Sequence, residues 1–141
     1  ISSFKEISNK NFVLNYDQDS NVKKITKSIE IVYGLRNFIG NANKFSKNTI
    51  YINLKSDSEI TEIVIEDDGD GYPRDILPKI GEPYLRSNNL REKSKTGLGL
   101  GLFIGKTLLE KNFASINCRN SKTRNGAEVI IKWKNRELFN I

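Results

Sequence analysis

The pattern of apolar and polar residues predicts a chain of short strands interrupted by two longer helices. Five stretches alternate apolar and polar residues or are rich in β-branched residues, as strands are. These stretches cover residues 12–16, 50–54, 60–66, 115–119 and 127–134. Turns are predicted at 67–73 and at 124–126, where glycine, proline, asparagine and aspartate cluster.

Two segments have helical spacing. Residues 25–45 carry apolar side chains every three or four positions, namely Ile25, Ile29, Val32, Leu35, Phe38, Ile39 and Ala42. Residues 99–112 predict a second helix, with Leu100, Phe103, Ile104 and Leu108 on one face. A short helix is predicted at 75–80 and a polar, aperiodic loop at 81–95. This order of elements predicts one sheet with helices packed on one face.

Length and cysteine content bound the fold. A single domain of 141 residues buries roughly 70% of its unfolded surface and folds without disulfides. The only cysteine, Cys118, lies in an alternating stretch, and we expect a buried or half-buried thiol rather than a redox sensor. The chain begins at Ile1 rather than at Met, and we expect it to be one part of a longer protein.

The absence of histidine and the net charge narrow the function classes. Without histidine, Ser-His-Asp and zinc chemistry are excluded. The net charge is +6, but lysine and arginine are scattered rather than striped, so we expect no nucleic-acid binding. A positive field also suits an anionic small ligand such as a triphosphate.

Three polar side chains share one face of the first long helix. Asn37, Asn41 and Lys44 are spaced i, i+4 and i+7, and they span roughly 10 Å. An asparagine oxygen is a hard ligand suited to Mg²⁺, and a lysine ammonium contacts phosphate oxygens. Taken alone, this face could equally be an ordinary solvated surface.

An acidic, glycine-containing turn follows the 60–66 strand. Its sequence, 67–71, has the form DxGxG, so Asp67 leaves the sheet at the end of a strand. The Asp67 carboxylate could accept a hydrogen bond from an exocyclic amine such as that of adenine. Gly69 and Gly71 would let a flat base approach the backbone. A calcium-binding loop of the EF-hand type is disfavoured because its full ligand spacing is missing.

A glycine cluster precedes the second helix. The cluster consists of Thr96, Gly97, Leu98, Gly99, Leu100 and Gly101. Backbone N–H groups of such a turn at a helix N-terminus bind anions. The P-loop pattern GxxxxGK[ST] is absent, and a polar loop rather than a strand comes before the cluster, unlike a Rossmann motif.

The three motifs, in this order, resemble the Asn box and the two glycine boxes of histidine-kinase ATPase domains. Residues 34–46, 67–71 and 97–102 carry the resemblance, and Gly81-Glu82-Pro83-Tyr84 lies where those kinases have a phenylalanine box in the ATP lid. The GEPY and GLGLGLFI stretches are most similar to RegB/PrrB-type redox-responsive sensor kinases. The resemblance implies the Bergerat fold, an α+β two-layer sandwich with a mostly antiparallel sheet, over a single domain of residues 1–141 with a lid at about 72–96.

The resemblance also implies a role for each site residue. Asn41 would be the Mg²⁺ ligand, and Asn37 and Lys44 would lie beside the phosphates. Asp67 would read adenine, Gly69 and Gly71 would shape its pocket, and the glycines of 97–101 would cradle phosphate. Tyr84 replaces the usual phenylalanine, and Asp70 stands where a proline or small residue is common.

The implied activity is ATP-dependent phosphorylation of a histidine outside this chain. Related ATPases that hydrolyse ATP carry a glutamate four residues before the Mg²⁺ ligand, where this chain has Asn37, and an amide cannot act as a base. The implied partners are a histidine-containing dimerisation domain and a response regulator, in a membrane-anchored bacterial homodimer whose ATP-binding domain is cytoplasmic. A serine kinase of the same fold, as in anti-sigma factors, and a non-catalytic nucleotide-binding interaction module remain alternatives.

Overall fold

A computed structural model describes residues 10–16, 29–74, 77–79 and 98–138. The elements in these ranges are β1 (Asn11–Tyr16), α1 (Ile29–Phe45), β2 (Thr49–Ser56), β3 (Ile60–Asp67), a 3₁₀ turn (Leu77–Lys79), α2 (Leu98–Lys111), β4 (Ser115–Asn120), β5 (Ala127–Lys134) and α3 (Asn135–Leu138). The loop predicted at 81–95 lies outside the described residues. Within the described ranges, no helix combines the length and apolarity needed to cross a membrane.

The strands form one mixed sheet in the order β1-β2-β3-β5-β4. The β1 and β2 strands are parallel, and the remaining neighbours are antiparallel. Alternate residues of the central strands, such as Ile52, Ile65 and Val129, are paired in register and buried in the same core as the α1 residues Phe38 and Ile39. The predicted α+β fold, with one sheet and helices on one face, is confirmed.

The two long helices contact each other through glycines. A Cβ atom built on Gly105 of α2 would lie 2.9 Å from the Phe38 ring and 3.1 Å from the Gly34 carbonyl oxygen of α1. A Cβ built on Gly34 would lie 2.6 Å from Leu109. The helix backbones therefore approach more closely than two alanines would allow, and this contact fixes the position of α1 relative to α2.

This glycine contact explains where the predicted helix faces were wrong. In α2 the buried residues are Leu102, Gly105 and Leu109, whereas Ile104 is exposed and Phe103 and Leu108 are half-buried. In α1 the prediction holds from residue 35 onward, but the first two turns bury Ile31 and Gly34 instead and leave Ile29 and Val32 exposed. A periodicity argument counts large apolar residues and leaves glycine out. The sequence pattern therefore did not show which faces of α1 and α2 are in contact.

Candidate functional site

Asp67 is the most buried acid of the site, with only 3% of its surface exposed at the end of β3. Its Oδ1 atom accepts hydrogen bonds from the backbone N–H groups of Gly69, at 2.9 Å, and Ala127, at 3.2 Å. Within the described ranges, no hydrogen bond goes to its Oδ2 atom. The second oxygen is therefore the acceptor that this residue can offer to a ligand.

Burial raises the pKa of the Asp67 carboxyl above its usual value. The N–H groups of Gly69 and Ala127 act in the opposite direction, while the neighbouring charges of Asp68 and Asp70 add to the increase. A carboxylate that is poorly hydrated gains more from one good donor than an exposed carboxylate does. This environment therefore favours a ligand that brings an N–H donor to Oδ2.

The turn after Asp67 has no room for side chains at its glycines. A Cβ on Gly69 would lie 2.2 Å from the carbonyl oxygen of Phe45, the last residue of α1. Gly71 has φ +80°, a left-handed conformation that other residues rarely adopt. The Asn120 side chain accepts from the Tyr72 N–H at 2.6 Å and donates to the Tyr72 carbonyl at 3.1 Å. The turn is therefore held between α1 and β4.

The polar face of α1 points toward the same region. Asn37 donates from Nδ2 to the Tyr33 carbonyl at 2.8 Å, and its Oδ1 lies near α2, 3.8 Å from a Cβ built on Gly101. Asn41 is half-buried, and its side chain makes no hydrogen bond to any described residue. The exposed Lys44 lies on the last turn, with Nζ 5.5 Å from the Phe45 ring centroid.

The three predicted motifs therefore converge at one end of the domain. The Asp67 turn lies against the C-terminal end of α1, and the middle of α1 lies against the start of α2. Leu98, Gly99 and Leu100 form the first turn of α2, although their side chains are not described. Tyr84, Thr96 and Gly97 lie outside the described residues.

Sequence reasoning missed the contact that the turn between β4 and β5 makes with Asp67. A Cβ on Gly126 would lie 1.9 Å from the Asp67 carbonyl oxygen, and the next N–H, that of Ala127, is a donor to the Asp67 carboxylate. The turn was predicted, but nothing in the sequence indicates which strand end it contacts. Only the order β3-β5 in the sheet brings these residues together.

The β4–β5 turn is held over the sheet by a buried glutamate. Glu66 accepts a hydrogen bond from the Ser121 hydroxyl at 2.8 Å and lies 3.6 Å from the Arg124 guanidinium. The same guanidinium stacks 3.6 Å from the centroid of the Tyr51 ring. These contacts keep Gly126 against Asp67.

The protein oxygen atoms at this site suit Mg²⁺ only if a bound ligand supplies most of the metal-ligating oxygens. No group of three or more Asp, Glu, His or Cys residues among the described residues could hold a metal. The Asn41 side chain offers one hard oxygen that no described residue uses. Mg²⁺ is commonly bound by one or two protein oxygens together with phosphates and waters, so the site fits a metal that arrives with a polyphosphate.

The Cys118 thiol is expected to be unreactive at neutral pH. Burial raises its pKa from 9.0 to about 11, while a hydrogen bond with Tyr72 and the Lys106 charge oppose the shift only weakly. The thiolate is the reactive form, so alkylation by iodoacetamide at pH 7.5 should be about a hundredfold slower than for an ordinary thiol. Mass spectrometry of the native and the urea-unfolded chain measures this difference. Equal rates in the two states would contradict it.

Comparisons with known proteins show the family of this chain. Residues 26–137 match the family described as histidine kinase-, DNA gyrase B-, and HSP90-like ATPase. The sensor histidine kinase RegB of Cereibacter sphaeroides is 39% identical over 102 residues, which are 69% of this chain and 22% of RegB. The sensor protein SrrB of Staphylococcus aureus is 32% identical over 100 residues, which are 70% of this chain and 17% of SrrB. This chain thus matches about a fifth of the length of these relatives.

Solved structures have the same fold. The mycobacterial sensor histidine kinase MprB superposes with a TM-score of 0.73 and 22% identity, covering 94% of this chain and 88% of that one. The catalytic domain of histidine kinase ThkA superposes with a TM-score of 0.72 and 20% identity, covering 94% and 84%. Since the family match extends over most of the sequence, the chain belongs to the histidine kinase-, DNA gyrase B- and HSP90-like ATPase family.

Proposed function

We propose that this chain is the ATP-binding catalytic domain of a sensor histidine kinase, which holds Mg-ATP and transfers the γ-phosphoryl group to a histidine on a separate domain. The observation that carries the proposal is the convergence of the Asp67 carboxylate, the Asn37–Lys44 face and the start of α2 at one end of the sheet. The sensor histidine kinase RegB and the sensor protein SrrB among the relatives support it, as does the full-length histidine kinase ShkA, whose structure was solved with AMPPNP.

The adenine end of the nucleotide would bind at Asp67. Oδ2 would accept a hydrogen bond from the exocyclic amine, because Oδ1 already accepts two backbone N–H groups. Gly69 and Gly71 would shape the pocket for the base, because without a Cβ atom the turn can pack against the Phe45 carbonyl and the Asn120 side chain. Adenine would then be distinguished from guanine, which presents a carbonyl oxygen at the same position.

The phosphate end would lie along α1 and the first turn of α2. Asn41 would contribute an oxygen to Mg²⁺, Asn37 would lie beside the phosphates, and Lys44 would contact a phosphate oxygen. The backbone N–H groups of residues 97–101 would cradle phosphate at the helix N-terminus, with Thr96 and Tyr84 nearby in a lid at about 72–96. Bound Mg²⁺ would neutralise charge on the transferred group.

At the position from which related ATPases activate water, this chain carries no base. Asn37 occupies the position where a glutamate would serve that purpose, and an amide does not accept a proton near neutral pH. Phosphoryl transfer depends mainly on positioning and charge neutralisation, which this set of residues can supply. The domain would therefore hold ATP until a protein nucleophile arrives.

The phosphoacceptor must be supplied by another segment, because this chain contains no histidine. We propose a histidine-bearing dimerisation domain of the same longer protein, followed by transfer to a response regulator. We further propose that the longer protein is a membrane-anchored bacterial homodimer whose ATP-binding domain lies in the cytoplasm, where ATP is available.

The isolated chain is expected to bind Mg-ATP without becoming phosphorylated. Calorimetric titration with Mg-ATP measures binding, and incubation with γ-labelled ATP followed by acid and alkali treatment measures covalent labelling. Adding the histidine-bearing segment of the longer protein should produce alkali-stable, acid-labile label on that segment. Stable label on the isolated chain would contradict transfer to an external histidine, and failure to bind Mg-ATP would contradict the function as a whole.

A further inference from the structure

Asp68, the second acid of the turn, has contacts that the binding of a nucleotide does not explain. Its Oδ1 atom accepts from the backbone N–H groups of Lys47, at 2.8 Å, and Asn48, at 3.1 Å. Its Oδ2 atom accepts from Asn48 and Thr49, both at 3.1 Å. Lys47 and Asn48 lie in the connection between α1 and β2, and Thr49 is the first residue of β2. The Asp68 side chain thus holds the backbone that follows the C-terminal end of α1.

The α1–β2 connection is held from other directions as well. The last helical bond runs from the Ser46 N–H to the Ala42 carbonyl at 2.8 Å. The Asn11 N–H of β1 donates to the Asn48 carbonyl at 2.8 Å. Gly69 packs against the Phe45 carbonyl. Two side chains of the turn that carries Asp67 reach this connection: the exposed Asp70 pairs with Lys47 at 3.3 Å, and Asp68 bonds directly to the backbone of the connection.

The Asp68 carboxylate is ionised at neutral pH. Partial burial works to raise its pKa, but the N–H groups of Asn48, Thr49 and Lys47 outweigh burial, and the pKa of Asp68 is lowered. A lowered pKa in the folded state means that this contribution to stability is present above the ordinary aspartate range and is lost only in stronger acid. The carboxylate is therefore charged at the neutral pH at which nucleotide binding would be measured.

We propose that Asp68 is a positioning residue, which fixes the asparagine face of α1 relative to Asp67 and so allows one nucleotide to contact both. The proposal rests on the proposed function. A ligand that must contact Asp67 with its base and Asn41 with its metal-bound phosphates gains from both contacts only if their separation is constant. The Asp68 oxygens are committed to backbone N–H groups, so its effect passes through the position of α1.

A matched control exists at the opposite end of the same hairpin. Asp57 accepts from the backbone N–H groups of Glu59, at 2.8 Å, and Ile60, at 2.7 Å. These bonds also lower its pKa. Asp57 and Asp68 are thus both carboxylates bonded to backbone N–H groups, but the Asp57 turn lies at the end of the hairpin opposite to the connection between α1 and β2. A general loss of stability should appear in variants of both residues, whereas a loss of positioning should appear only in variants of Asp68.

The test compares two probes that differ in how much of the site they contact. Adenosine would contact the Asp67 end alone, whereas Mg-AMPPNP would contact both ends. Calorimetry on the 141-residue chain gives the ratio of the Mg-AMPPNP affinity to the adenosine affinity. This ratio is measured for wild type, Asp68→Ala, Asp68→Asn and Asp57→Ala. We expect the ratio to fall about tenfold in Asp68→Ala and to remain within about twofold in Asp57→Ala. Asp68→Asn keeps one acceptor oxygen and should be intermediate.

The outcomes separate the two proposals. In one outcome the wild type binds Mg-AMPPNP, and the Asp68 variants lose affinity for both probes by the same factor or for neither probe. The positioning role is then wrong, while the proposed function stands. If the wild type binds neither probe, the proposed function fails and the positioning role fails with it. Should Asp68→Ala not fold, the ratio for Asp68→Asn decides, because an unchanged ratio there overturns the inference.

Discussion

Asp67→Asn is expected to abolish adenine-nucleotide binding while leaving the chain folded. The substituted amide must keep its oxygen toward the N–H groups of Gly69 and Ala127, which now bond to the Asp67 Oδ1 atom. Its NH₂ group then takes the place of Oδ2 and faces the exocyclic amine of adenine, donor against donor. When a buried site loses a required hydrogen-bond acceptor in this way, its affinity for the ligand falls by at least roughly a hundredfold.

The fold should tolerate this substitution. Burial raises the pKa of Asp67, so the folded state disfavours its charge, and a neutral amide removes that cost. Calorimetric titration with Mg-ATP and thermal unfolding of the same samples separate binding from stability. Asp70→Asn is the control, because Asp70 is an exposed residue of the same turn whose side chain pairs with Lys47 at 3.3 Å. Unchanged affinity in Asp67→Asn would show that adenine is read elsewhere.

The same substitution should alter base preference. An NH₂ group at this position matches a carbonyl oxygen, which inosine triphosphate carries where ATP has its amine. The ratio of ATP to inosine triphosphate affinity should therefore fall in Asp67→Asn even though both bind weakly. A ratio equal to that of the wild type would mean that the Asp67 carboxylate does not face the six-position of the base.

Local patterns were sufficient to predict the five strands and the two long helices that the structure describes, but not the short helix α3. The β5 strand was predicted at its observed bounds, 127–134, because alternating isoleucine, valine and tryptophan face one core. The α1 helix ends at Phe45, as predicted, where the residues after it are polar. These features depend on residues close together in the sequence, and side-chain periodicity records them directly.

The environment of Asp67 depends on contacts that periodicity does not record. Its second backbone donor, Ala127, is 60 residues away, and the pair forms only because β5 inserts between β3 and β4 in the sheet. Asp68 likewise bonds to backbone about 20 residues earlier. Every residue type except proline has a backbone N–H group, so no side-chain signal marks Lys47 or Ala127 as partners. The DxGxG motif therefore predicted that Asp67 is the candidate binding acid, but not which backbone groups hold its carboxylate in place.

Gly126→Ala is expected to destabilise the fold by about 3 kcal/mol and to displace Asp67 from its binding position. The added methyl group would lie 1.9 Å from the Asp67 carbonyl oxygen and 2.4 Å from its Oδ1 atom. Backbone strain is not the cause, since the φ angle of Gly126 is outside the left-handed region. The clash is with backbone of β3, which cannot rotate away as a flexible side chain could, so the end of β5 must separate from β3.

Gly101→Ala is the matched control for this prediction. A Cβ at Gly101 would have Asn37 Oδ1 as its nearest neighbour, at 3.8 Å, and alanine in a helix interior is favoured over glycine by about 1 kcal/mol. Urea unfolding should therefore show a higher midpoint for Gly101→Ala and a much lower midpoint for Gly126→Ala. If Gly126→Ala unfolds at the wild-type midpoint and still binds Mg-ATP, the β4–β5 turn does not press against Asp67, and the acid must be held by the Gly69 N–H alone.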